Sequence, residues 1–204
     1  MRLKRALDIV IASITLLITS PVLIAAAIAI KINDGGPVLF TQRRVGRNCN
    51  TFTVYKLRTM VPDAEARLNE VLETLGNGRD NVLFKLDNDP RRTKVGRILE
   101  ATSLDELPQL FNVLNGTMSI VGPRPALPEE VAKFDDELMG RFSVPPGVTG
   151  LWQVEARDNP SFSAYRRLDL FYVENWNILL DIILYSVGGV IGTILVMSAV
   201  AVMI

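Results

Sequence analysis

The chain has 204 residues, 22 Lys/Arg against 22 Asp/Glu, one cysteine and no histidine. That composition excludes Ser-His-Asp and Cys-His catalysis, His-ligated metals, an intrachain disulfide and a multi-cysteine zinc site. Any chemistry rests on carboxylates, Lys/Arg, hydroxyls and a hard, oxygen-bound ion such as Mg²⁺.

Residues 1–58 carry nine Lys/Arg against two Asp. Such a region suits anionic head groups or ligands, and equally suits plain cytoplasmic flanks of an apolar segment. Ile9–Ile30 is that segment, an uncharged run of 22 residues. As a straight helix it reaches roughly 33 Å, enough for a bilayer core of about 30 Å. Ser20-Pro21 interrupts it near the middle, where proline removes an amide donor. Arg2, Lys4 and Arg5 precede the run, and Lys31, Arg43, Arg44 and Arg47 follow it. The positive-inside rule favours keeping both ends in the cytoplasm. Two topologies fit: a Pro-kinked span, and a helix broken at Ser20-Pro21 that enters and leaves by one face. In the second, Ser20 helps to satisfy the carbonyls that proline frees.

Gly35-Gly36-Pro37 marks a turn before Val38-Leu39-Phe40, the expected hairpin partner of a strand over Thr51–Leu57. Pro62–Leu75 has helical spacing and stops at Gly76-Asn77-Gly78. Val95–Leu99, Leu104–Leu114 and Pro128–Arg141 read as further helices, with Pro145-Pro146-Gly147 beyond them. The expected fold is α+β and helix-dominated, with a small sheet. No charge follows Asp181. Ile182–Ile204 is long enough to span and fits equally a helix lying in the interface, and Gly188-x-x-x-Gly192 is compatible with close helix pairing in a homodimer. The expected segments are an N-terminal membrane unit (1–32), a catalytic domain (33–177) and an apolar C-terminal helix (178–204).

Thr102-Ser103-Leu104-Asp105-Glu106-Leu107-Pro108 sets two carboxylates side by side before a proline. A carboxylate can attack phosphorus or hold a metal ion. Ser103-x-x-Glu106 is also a capping-box pattern, in which Ser103 and Glu106 serve only a helix end. Gly122-Pro123-Arg124-Pro125 offers a guanidinium fork for a phosphate. Lys56 and Arg58 fall on one face of the expected strand. Arg91, Arg92, Lys94 and Arg97 form a basic cluster that reads as a solvated loop or a diphosphate site. Asp87-x-Asp89 fits either a metal-holding DxD or an ordinary polar turn, and Trp152 either a base-stacking platform or a core residue.

Taken together these pieces resemble the bacterial sugar transferases, the monotopic phosphoglycosyl transferases. The resemblance runs almost end to end. It covers Lys4-Arg5-x-x-Asp8, Ser20-Pro21, Gly36–Gln42, Tyr55–Met60, Thr93–Arg97, Ser103–Asn112, Val121–Pro125, Pro146–Val154 and Asp169–Trp176. It implies transfer of a sugar phosphate from a UDP-sugar to undecaprenyl phosphate, with UMP released. By the same resemblance Asp105 is the nucleophile that forms an aspartyl-phosphosugar, and Glu106 is linked to Mg²⁺. Lys56, Arg58, Arg97, Arg124 and Asp169 take substrate or phosphate, while Ser20, Pro21, Arg5 and Asp8 shape a re-entrant anchor. The enzyme would sit on the cytoplasmic face of the bacterial inner membrane with interfacial helices, among membrane lipids, with no nucleic-acid partner. The chain departs from the family pattern at Glu100 and Ala101, where basic residues are common. A carboxylate there repels a diphosphate unless Arg92 or Arg97 compensates. The rival readings are a metal-dependent glycosyltransferase using Asp87 and Asp89, and a membrane-bound scaffold that binds nucleotide sugar without turnover.

Overall fold

A single helix, α1, takes up Arg2–Asp34. The structure is a computed structural model, and it describes residues 2–75, 89–155 and 161–187. Among these, α1 is the one helix long and apolar enough to cross a membrane. Its secondary structure continues through Ser20-Pro21. Pro21 cannot donate to the Leu17 carbonyl four residues back. The Ser20 hydroxyl donates to that carbonyl instead, at 2.9 Å.

The helix is two-faced. Ala12, Thr15, Thr19, Ala26 and Ile30 are buried, three, four or seven residues apart. Leu3, Ile9, Val10, Ile14, Leu17, Ile18, Ile24, Ile28 and Ile32 are exposed. An outer face this apolar exceeds what water-facing helices carry.

Strands β1 (Leu39–Val45) and β2 (Thr51–Leu57) form the expected antiparallel hairpin, from Leu39 opposite Leu57 to Val45 opposite Thr51. β1 is longer than its apolar start suggested. The helix expected over Pro62–Leu75 is helical only as α2, Leu68–Leu75, preceded by turns. Helix α3 spans Lys94–Ala101, and the Thr93 side chain caps it by accepting from Gly96 N at 2.8 Å. A Cβ on Gly96 would lie 1.8 Å from the Thr59 carbonyl, so only glycine lets α3 approach the chain leaving β2.

The stretch expected as one helix over Leu104–Leu114 divides into a 3-10 turn, Leu104–Glu106, and α4, Gln109–Asn115. Pro108 between them brings no amide donor. Pro128–Arg141 likewise divides, into α5 (Pro128–Val131), α6 (Asp136–Met139) and a 3-10 turn from Gly140. Asp135 starts α6 afresh, accepting from Leu138 N at 2.9 Å. β3 (Ser119–Val121), between these two stretches, pairs in parallel with β4 (Gly147–Thr149), which follows the second. Helices α7 (Leu151–Glu155), α8 (Phe162–Glu174) and α9 (Ile178–Val187) follow. The Gly188–Gly192 motif lies outside the described residues.

One core draws on all three expected segments. It includes Ala12 of α1, Val54 of β2, Leu110 and Val113 of α4, Ile120 and Val121 of β3, Tyr172 of α8, and Leu184 and Tyr185 of α9. Further along α1, Ala26 and Ile30 pack with Leu57 and Leu99. The first turns of α1 are held by a buried polar knot. Lys4 donates to Asp181 at 2.6 Å and to the Val121 carbonyl at 3.1 Å. Tyr172 and Trp176 also donate to Asp181, at 2.7 and 3.0 Å. Asp8 accepts from Tyr185 at 3.0 Å and Ser119 at 2.9 Å. Arg5 donates to the Val113 and Leu114 carbonyls at the end of α4. Two cations read in the sequence as membrane flanks are thus spent inside the fold.

Candidate active site

Lys56, Asp105 and Glu106 converge. Lys56 sits near the end of β2, and the two acids occupy the 3-10 turn between α3 and α4. Lys56 Nζ donates to Glu106 Oε1 at 2.7 Å and lies 3.7 Å from Asp105 Oδ2. The turn opens at Ser103, whose φ of 56° is left-handed and uncommon outside glycine. Ser103 makes no side-chain cap, so the capping box does not form, and Glu106 reaches Lys56.

Asp105 is only 7% exposed. Burial pushes its carboxyl up to about 6, Lys56 pulls it down, and Glu106 and Glu100 push it up again. A carboxylate that is poorly solvated, yet ionised at neutral pH, is poised as a nucleophile. Glu100 is itself paired, with Arg92 Nε 2.8 Å from its Oε2. Arg92 therefore offsets the carboxylate that stands where the family pattern has a cation. Arg97 is exposed on α3.

Arg124 lies in the loop after β3. Its Nη1 contacts both oxygens of Glu130, at 3.1 and 3.2 Å, and Glu130 accepts from Leu127 N at 2.7 Å. The loop is held from two further directions. Arg44 donates to the Pro125 carbonyl at 3.1 Å, and Arg141 to the Arg124 carbonyl at 2.6 Å. Burial, then the charge of Arg124, lowers Arg44 to about 10.

Other expected site residues are placed differently. Arg58 follows β2 rather than belonging to it. It is buried and donates to Asp34 and to the Pro37 and Met60 carbonyls, clamping the end of α1 to the start of β1. Asp169 is buried at 2.5 Å from Arg141, and burial pushes its carboxyl up to about 6 against that partner. Phe134, Phe142 and Tyr165 surround Arg141, with ring centroids 5.4, 5.4 and 4.7 Å away. Asp89 is buried on Arg91, at 2.6 Å, and Asp87 lies outside the described residues. Trp152 packs edge-on to Tyr165 in the core. The Lys4–Asp181 and Arg141–Asp169 pairs carry no local signal in the sequence, because their partners are 177 and 28 residues apart.

Magnesium is tested by the donor set. Asp105 and Glu106 are adjacent oxygen donors, and no group of three or more candidate ligands occurs among the described residues. Two carboxylates leave coordination positions for water and phosphate oxygens, the usual pattern for Mg²⁺. The residues fit.

The sequence profile of the bacterial sugar transferase family matches residues 1–200. The chain belongs to that family. Among relatives of this bacterial sugar transferase is the undecaprenyl-phosphate galactose phosphotransferase of Salmonella typhimurium. It is 42% identical over 192 residues, which cover 93% of this chain and 40% of that protein. The UDP-glucose:undecaprenyl-phosphate glucose-1-phosphate transferase of Escherichia coli K12 is 41% identical, over 88% of this chain and 38% of that protein. The exopolysaccharide production protein ExoY of Rhizobium meliloti is 38% identical, over 89% of this chain and 81% of its own length. The chain therefore spans about two fifths of the length of the larger relatives.

Proposed function

We propose that the chain is a phosphoglycosyl transferase that moves a sugar 1-phosphate from a UDP-sugar to undecaprenyl phosphate, with release of UMP. This would begin a lipid-linked glycan on the cytoplasmic face of the inner membrane. The observation that carries the reading is the buried Asp105 carboxylate beside Lys56 and Glu106, in a chain of this family. An Asp105 oxygen attacks the sugar-bearing phosphorus of the donor. The bond from that phosphorus to the bridging oxygen breaks, and UMP leaves with the electron pair. An oxygen of the lipid phosphate then attacks the same phosphorus, and Asp105 departs as carboxylate. Two steps replace one difficult displacement.

Lys56 supplies fixed positive charge beside the developing anion. Arg124 presents its guanidinium from a loop braced on three sides, which suits a phosphate. Magnesium, held by Glu106 with Asp105 adjacent, supplies further charge neutralisation when bound. The outward apolar face of α1, with both ends of the helix packed on the catalytic core, supports a re-entrant anchor.

The test is nucleotide release from a panel of UDP-sugars with Mg²⁺ and undecaprenyl phosphate. UMP release by the chain and none by Asp105→Asn is expected, with the active donor naming the sugar. Unchanged release by Asp105→Asn removes the covalent route. UDP in place of UMP removes phosphoglycosyl transfer in favour of glycosyl transfer. Nucleotide-sugar binding without release points to the scaffold reading.

A further inference from the structure

The nucleophile and the lysine beside it come from two elements that are 49 residues apart in sequence. Their spacing must be set by whatever joins those elements. Asn112 of α4 is a direct link. Its side-chain amide donates to the Thr53 carbonyl at 2.7 Å and accepts from Tyr55 N at 3.2 Å. The same Nδ2 donates to Thr117 Oγ1 at 3.2 Å. Asn112 is 1% exposed, so these bonds form out of water, where an unmade one is costly. β2 pairs with β1, and the Asn112 amide takes up backbone groups of β2 much as a further strand would. Lys56 is the next residue after Tyr55. Seven residues before Asn112, on the same short run of chain, is Asp105.

We propose that Asn112 is a positioning residue that fixes β2 against α4 and so sets the distance from Lys56 to Asp105 and Glu106. This rests on the phosphoglycosyl transferase reading for its catalytic meaning, and on geometry alone for the placement. Asn112 does not itself touch either acid. It acts through the backbone of Thr53 and Tyr55. Both halves of the amide are in use, so an aliphatic side chain of similar size cannot replace it.

Lys56 Nζ lies 2.7 Å from Glu106 Oε1, within reach of a zero-length cross-link. The test is carbodiimide coupling of Lys56 to Glu106 in the detergent-solubilised full chain, read by peptide mass spectrometry, together with nucleotide release. In Asn112→Ala the Lys56–Glu106 cross-link is expected to be lost, and nucleotide release to fall on the order of tenfold, mainly in kcat. In a Lys56→Met background, Asn112→Ala should add no further loss of kcat. Should Asn112→Ala fail to fold, Asn112→Gln keeps the amide but displaces it by one methylene, and must lower the cross-link in the same direction. A cross-link unchanged in a folded Asn112 variant, or an equal further loss of kcat with Lys56 already removed, overturns the proposal. Absence of UMP release from the unmutated chain overturns the transferase reading instead, and leaves the cross-link to decide the placement.

Discussion

Asp105 carries an internal conflict. Its carboxyl is pushed up to about 6 by burial, so the folded chain holds that proton more tightly than the unfolded chain does. Between the ordinary carboxylate range and pH 6 the folded state binds more protons, and stability falls as pH rises through that window. Asp105→Asn should therefore be more stable than the parent at pH 8, on the order of 1–3 kcal/mol, with the difference vanishing near pH 3. Denaturant unfolding at the two pH values checks this. The proposed nucleophile must be ionised to attack, so turnover should decline below about pH 6, along an acid limb that Lys56→Met displaces upward. At this scale the sequence was legible where chemistry is adjacent in the chain, as with Asp105 and Glu106. It misled where alternation was carried past a strand end. Lys56 lies within β2 and reaches the acids, whereas Arg58 lies beyond it and turns to Asp34.

Elements were legible when a local signal sufficed. The β1–β2 hairpin follows from alternation and its glycines, and α3 covers the expected Val95–Leu99. The Pro128–Arg141 stretch was misread because apolar spacing alone does not reveal that Asp135 caps a new helix. The β3–β4 pair was invisible, since two three-residue parallel strands exist only once distant segments meet. A Cβ on Gly122 would lie 2.5 Å from the Pro145 carbonyl, which shows how closely those segments approach. The polar knot at the start of α1 makes a sharp energetic prediction. Asp181 is fully buried, so Lys4→Met leaves its charge without a cationic partner. That should cost about 3–5 kcal/mol, partly recovered in Lys4→Met with Asp181→Leu. Thermal unfolding in detergent reads both.

Across the whole molecule, α1 joins the catalytic core at each end. Lys4 and Asp8 bond β3 and α9, while Ala26 and Ile30 pack on Leu57 and Leu99. Docking at both ends is what the proposed re-entrant anchor requires, with the two ends on one side of a bilayer. With Cys49→Ser as background, Arg2→Cys and Asn33→Cys should be labelled by a membrane-impermeant maleimide from the same side of oriented vesicles. Labelling from opposite sides would refute the re-entrant anchor. The docking also changes what the apolar helix is for. Ala12 is wholly enclosed among residues of β2, α4, β3 and α9. Cutting α1 away would uncover that interior and strand the Asp181 carboxylate. A fragment beginning near residue 36 should aggregate rather than yield a water-soluble enzyme. The helix is less a tether than a wall of the house. On the proposed function, a chain built on such a wall could not be cut free of the membrane and go on working, so catalysis would stay confined to the surface that holds the lipid acceptor.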